Sequence, residues 1–179
     1  DEALAETDES LKKKRKIPLE QFEQEIIKYE NLHQEIQELP EYAYYGWIVV
    51  KTQPLRQAIG NYARKWRYMF LEYLQQDVQE QLQEFYDFVK TMTIGLQQQV
   101  PKDDYPKLVE MMGYLLQISE KNEQMKDDQF FQPLRETVQL LKKYEITFSE
   151  TTLKQLEEGP EKWKNLMKLY FEVKDKLSV

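Results

Sequence analysis

The 179-residue chain has a single histidine, His33, which lies three places after Glu30. Glu-x-x-His on a helix is the spacing of di-iron carboxylate bundles, which need the motif twice. One histidine cannot supply a second copy, so the default reading of His33 is a boundary side chain between core and solvent. A Ser-His-Asp arrangement would compete for the same imidazole, and no nucleophile elbow accompanies it. Cysteine is absent, which removes disulfides, thiol nucleophiles and Cys-ligated zinc or iron–sulfur centres. No Gly-x-x-x-x-Gly-Lys-Ser/Thr occurs, and no two of the five glycines lie close enough to build a phosphate loop. Glutamates are plentiful on helical patterns, so carboxylate pairs carry no information unless a pocket gathers them. The expectation is therefore a segment with no catalytic, cofactor-binding or metal-ligating residues, and no cofactor.

Arg64-Lys65-Trp66-Arg67-Tyr68 mixes basic and aromatic residues as nucleic-acid surfaces do. Trp66, however, falls in an apolar stripe, and the bland reading is a core tryptophan flanked by snorkelling charges. The Gln-rich pieces, Gln75-Gln76 through Gln83 and Gln97-Gln98-Gln99, are interleaved with apolar residues and read as helix.

The elements that would position these residues follow from composition and period. Charged residues make up 32% and apolar ones 41%, too apolar for disorder. The longest apolar runs are far short of the roughly 18–20 residues of a membrane span, and mean hydropathy is −0.78. Few glycines mean few tight turns, which points to helices. A net charge of −7 argues against nucleic acid and anionic membrane as partners. Absence of cysteine suits a reducing compartment, and the start at Asp1 without Met or an apolar leader reads as a fragment.

Residues 1–17 lack an apolar period and include the basic run Lys12–Lys16, so they read as a charged linker or helix end. Pro18 opens a helix with Leu19, Phe22, Ile26, Tyr29, Leu32 or His33, Ile36 and Leu39 on one stripe, which Pro40 ends. Tyr42–Val50 has strand composition but no second strand to pair with, so it is expected as an extended connector packed by Trp47. Residues 54–98 predict one long central helix. One register runs Leu55, Ile59, Tyr62, Trp66, Met69, Tyr73 and hands over to Phe70, Leu74, Val78, Leu82, Phe85, Val89, Met92, Leu96, with a stutter between. At 1.5 Å per residue it would be roughly 65 Å long, against a diameter of roughly 40 Å for a compact globule of this size. Either it bends near Gln75–Asp77 or the molecule is a rod.

Asp103 or Asp104 can cap the next helix, whose apolar face is Leu108, Met111, Met112, Leu115 and Ile118. Polar residues 121–129 break the period. Phe131, Leu134, Val138 and Leu141 mark a short helix, Ser149 caps another turn or two, and Gly159-Pro160 opens a last helix with Trp163, Tyr170 and Val173. The expected fold is all-α: an elongated helical bundle over 18–179, with one long central helix and no sheet.

Several phrases together resemble the tail of dynein heavy chains: Trp47, Pro54-Leu55, Lys65-Trp66-x-x-Met69-Phe70-x-x-Tyr73-Leu74-x-x-x-Val78 and Leu108-Val109-Glu110-Met111-Met112-Gly113-Tyr114-Leu115. Phe131-Gln132-Pro133-Leu134-Arg135-Glu136-Thr137-Val138 onward to Tyr144, and Leu156-Glu157-Glu158-Gly159-Pro160-Glu161-Lys162-Trp163, look like the axonemal heavy-chain segment just before the linker domain. Tyr42–Tyr45 and Gly159 depart from the family pattern. The resemblance implies a microtubule motor whose ATPase ring lies outside this segment, so no catalytic residue carries over. It implies a tail piece that links the linker and ring to the cargo-binding end. Its partners would be other dynein heavy, intermediate or light chains and, indirectly, the axonemal doublet microtubule, in a cytoskeletal, ciliary or flagellar setting. The competing expectation from another class is a free-standing helical adaptor or tether unrelated to motors.

Overall fold

The structure, a computed structural model, describes residues 18–98 and 104–177. Five α-helices and one two-stranded ribbon form among them: α1 (Leu19–Glu38), β1 (Tyr42–Tyr45), β2 (Ile48–Lys51), α2 (Gln53–Leu96), α3 (Tyr105–Lys121), α4 (Gln132–Lys143) and α5 (Glu150–Leu177). The 1–17 reading, the Lys12–Lys16 run and Asp103 lie outside the described residues. Asp104 caps α3 as expected, accepting from the Lys107 amide. The chain divides into two compact units, the first ending at Leu71 and the second beginning at Glu72.

The helical class holds, but the sheet-free expectation does not. Tyr42–Lys51 is a hairpin rather than a connector, with Tyr42 opposite Lys51, Ala43 opposite Val50, Tyr44 opposite Val49 and Tyr45 opposite Ile48. Gly46 has φ +64°, and a glycine at the first central position of a two-residue loop lets strands of matching twist fold back. The partner strand that seemed missing is the second half of the same run. Trp47, at the tip, is 91% exposed and packs on no helix.

In the first unit α1 packs on the beginning of α2. Tyr29 stacks on Trp66 and Phe70 with centroids 6.2 and 5.9 Å apart, and Phe22 meets Phe70 edge-on. Gly60 and Ala63 are buried on this face, and a Cβ on Gly60 would sit 3.1 Å from Gln37 Nε2. The last turn of a helix leaves carbonyls without amide partners. Arg56 fills that role for α1, donating from Nε to the Ile36 carbonyl at 3.2 Å and from Nη2 to that of Gln37.

This arrangement corrects the first register of α2. Leu55, Ile59, Tyr62, Trp66, Met69 and Tyr73 were expected in the core, yet all are exposed, from 39 to 64%. The face that meets α1 carries Gly60, Ala63 and Phe70, roughly a third of a turn round the helix at 100° per residue. Small residues there admit a close neighbour, so α1 takes that face and leaves most of the larger stripe outward, with Trp66 half-covered by Tyr29 at its edge.

In the second unit the handover register is buried throughout: Leu74, Val78, Leu82, Phe85, Val89, Met92 and Leu96. Met111 and Ile118 of α3, Leu134 and Val138 of α4, and Leu156, Trp163, Leu166, Tyr170 and Val173 of α5 close the core around it. A π-helical turn, Asp127–Phe131, leads into α4 and drives Phe131 into the centre. There it meets Phe85 and Phe130 edge-on, at 5.2 and 4.9 Å. Phe131 also lies against Gly159, where a Cβ would be 3.0 Å or less from its ring.

The expected break at Gly159-Pro160 does not occur, and α5 runs through Pro160. Proline removes one amide from the ladder, here the one that would bond the Leu156 carbonyl. Leu156, Gly159, Trp163 and Leu166 are nevertheless buried on one side of the helix, and that packing holds both halves in line. Ser149 caps this helix as the sequence implied, accepting from the Thr152 amide at 3.2 Å. α4 ends in a Schellman turn, with Ile146 N–H to the Leu141 carbonyl and Glu145 N–H to that of Lys142. The residue that turns left-handed is Glu145, φ 63°, where glycine is usual.

Candidate functional site

Glu30 and His33 both face α2, but each is held by a structural neighbour. His33 Nδ1 lies 3.1 Å from the Gly60 carbonyl, and Glu30 Oε1 lies 3.9 Å from Arg67 Nη2. No group of three or more His, Cys, Asp or Glu gathers among the described residues. The basic–aromatic cluster is splayed. Trp66 lies half-covered against Tyr29, Arg64 is exposed and bonded to Asn61, and Lys65 and Tyr68 are exposed.

The perturbed ionisable groups also have structural partners. Burial, with the Glu158 charge second, pushes the Tyr86 phenol up, and its hydroxyl donates to the Gln155 carbonyl at 2.9 Å. The hydrogen bond to Glu110, 2.7 Å, raises the Tyr114 phenol. Arg135 grips Asp127 with two parallel bonds of 3.0 Å, which holds that carboxyl below its ordinary value. Tyr86 alone of these groups lines a groove, and its hydroxyl is already taken by the Gln155 carbonyl.

Three surfaces present recognition chemistry. The first is the stripe of α2 from Leu55 to Met69, which has the spacing of a core seam but is exposed. The second is on α3, where Tyr105, Val109, Met112 and Leu116 are all exposed at steps of 4, 3 and 4. The sequence reading gives α3 a single face that includes Met112, but Met112 belongs to this outer stripe. Together with the inward Met111, Leu115 and Ile118, these residues give α3 an apolar arc about half the helix wide, well beyond the roughly 100° that one neighbour needs. The third is an open groove of about 520 Å³ between α2 and α5, floored by Val89, Ile94, Leu166 and Leu169 and rimmed by Lys90 and Lys162. No helix among the described residues is long and apolar enough to cross a membrane.

Comparison with known proteins adds a second line of observation. No family model matches the chain. It is 37% identical over 161 residues to the human "Dynein axonemal heavy chain 9" and 35% identical over 161 residues to the "Dynein beta chain, ciliary" of Tripneustes gratilla. A more distant relative, the "Dynein beta chain, flagellar outer arm" of Chlamydomonas reinhardtii, is 30% identical over 188 residues. The first two alignments take in 89% of this chain but only 4% of each relative; the third takes in 90% and 4%.

Proposed function

The chain is a homologue of a short segment of axonemal dynein heavy chains, and from that premise we propose that it is a non-catalytic structural piece of the heavy-chain tail. In this reading it lies just before the linker domain and connects the linker and ATPase ring to the end that is fixed on the axonemal doublet. It packs there against other heavy, intermediate or light chains, within the ciliary or flagellar axoneme. The observation that carries the reading is the surplus of apolar helix faces. α2 and α3 each present one stripe to their own unit and a second to the outside, as helices do when they are cut from a larger helical assembly. In this reading ATP hydrolysis belongs to the ring of the parent chain, and the lack of a phosphate-loop motif in this sequence is in keeping with that.

An antibody raised against this segment tests the proposal on axonemes extracted with high salt. It should detect a polypeptide of heavy-chain size that sediments with the outer arms. Detection of a free polypeptide near 21.8 kDa would refute the tail assignment and favour the free-standing helical adaptor.

A further inference from the structure

The groove between α2 and α5 differs from the two outward stripes because it has a shape and a charge of its own. It runs from Tyr86 to Gln97 along α2, about 17 Å at the helical rise, or three turns of a partner helix. Tyr86 closes one end with its ring, since its hydroxyl is taken by the Gln155 carbonyl. Ile94 stands in the groove and is 56% exposed, although it is aliphatic. Lys90 comes from one wall and Lys162 from the other, and none of the described residues lining the groove is acidic. Neither lysine forms an ion pair with another described residue. Two unpaired ammonium groups over an apolar floor are unusual for a chain with net charge −7.

We propose that this groove is a docking site for an acidic amphipathic α-helix of a partner polypeptide. Apolar side chains at i, i+3 or i+4 and i+7 would occupy the floor, as in other helix-in-groove complexes. Glutamates or aspartates flanking that stripe would meet Lys90 and Lys162. A second copy of this chain fits poorly, because a two-fold contact would set lysines against lysines. Complementary charges at the rim select the partner and speed its arrival more than they add affinity, and because they are solvent-exposed binding weakens with salt. The inference needs only the groove and does not depend on where the segment lies in the heavy chain.

The test uses the 179-residue chain and a fluorescein-labelled three-heptad peptide with Leu at a and d, Glu at e and g, and Ala elsewhere. A matched peptide carries Lys in place of Glu. The Glu peptide should give saturable anisotropy that falls as salt rises, and the Lys peptide should bind at least about tenfold more weakly. Lys90→Glu with Lys162→Glu should reverse that preference, and Ile94→Asp should weaken both peptides. Because all three side chains are at the surface, the circular dichroism melting curve should not change. Equal binding of the two peptides, binding that the charge reversal leaves unchanged, or no saturable binding would each overturn the proposal. Sedimentation showing a wild-type dimer that Ile94→Asp dissociates would give the groove to a second copy, and would overturn it as well.

Discussion

Gly159→Ala and Gly113→Ala are the same substitution with opposite expected signs. Both glycines lie inside helices, where alanine is ordinarily favoured by about 1 kcal/mol. At Gly113 a Cβ would meet nothing within 4 Å, so most of that gain, about 1 kcal/mol, should appear as added stability. At Gly159 the new Cβ would be 3.0 Å from Phe131 Cζ and closer still to Cε1. The ring cannot retreat, because Phe85 and Phe130 hold it edge-on and it is fully buried. Overpacking of this kind costs about 1–3 kcal/mol. A Cβ just before Pro160 also disfavours helical backbone, which trims the propensity gain. The net is a loss of about 1–2 kcal/mol. Urea unfolding reads both variants, followed by Trp163 fluorescence in a Trp47→Phe, Trp66→Phe background so that the signal reports the second unit. With a slope of about 2 kcal/mol per molar, Gly159→Ala should lower the midpoint by about 0.5–1 M and Gly113→Ala should raise it by about 0.5 M. Phe131→Leu should recover part of the first loss. A Gly159→Ala midpoint at or above wild type would refute the argument, since it would mean that Phe131 is not seated against this helix.

Glu145→Gly should raise stability by about 1 kcal/mol in the same assay, since it relieves a left-handed residue that carries a Cβ. Trp163→Ala, which removes a ring 7% exposed and stacked on Phe88, should cost about 3–5 kcal/mol. Trp66→Ala should cost about half as much, because only its Tyr29 side is covered, and Arg64→Ala with Lys65→Ala should stay within about 0.5 kcal/mol. Asp127→Asn should show a pH-dependent deficit. The hydrogen bonds from Arg135 lower the folded carboxyl, so wild type is the more stable above the ordinary carboxylate range near pH 4. That advantage disappears as pH falls through the lowered folded value, and it should not exceed about 1 kcal/mol for so exposed a pair. Calorimetric titration with ATP should give no saturable heat.

The helices were legible in the sequence because period and breakers agree over long stretches. Pro40 ends α1, Asp104 and Pro106 start α3, and the Leu74–Leu96 register fills the second core. What was not legible depended on which neighbour takes which face. Leu55, Tyr62 and Trp66 have the spacing of a buried seam, and nothing local says that Gly60 and Ala63 give α1 a closer approach. The hairpin was hidden by treating Tyr42–Val50 as one run, although Gly46 divides it into two strands of equal length. Pro160 is a breaker by local rules and is overruled by Leu156, Trp163 and Leu166 packing on either side of it. The recognition surfaces were the least legible, since an outward apolar stripe and a core stripe have the same spacing. The Lys90–Lys162 groove pairs residues more than 70 positions apart.

The Tyr42–Lys51 ribbon has a practical consequence for anyone who isolates this segment. It has two strands, so among the described residues neither outer backbone edge is paired with a third strand, and both faces carry exposed Tyr, Ile and Val side chains. Such a ribbon is a template for fibril growth, because any extended chain can add to either edge. The solution lifetime of the purified segment should therefore be set by these ten residues rather than by its helices. A charged residue in place of Trp47 or Val49, both exposed, should extend shelf life without altering the melting temperature.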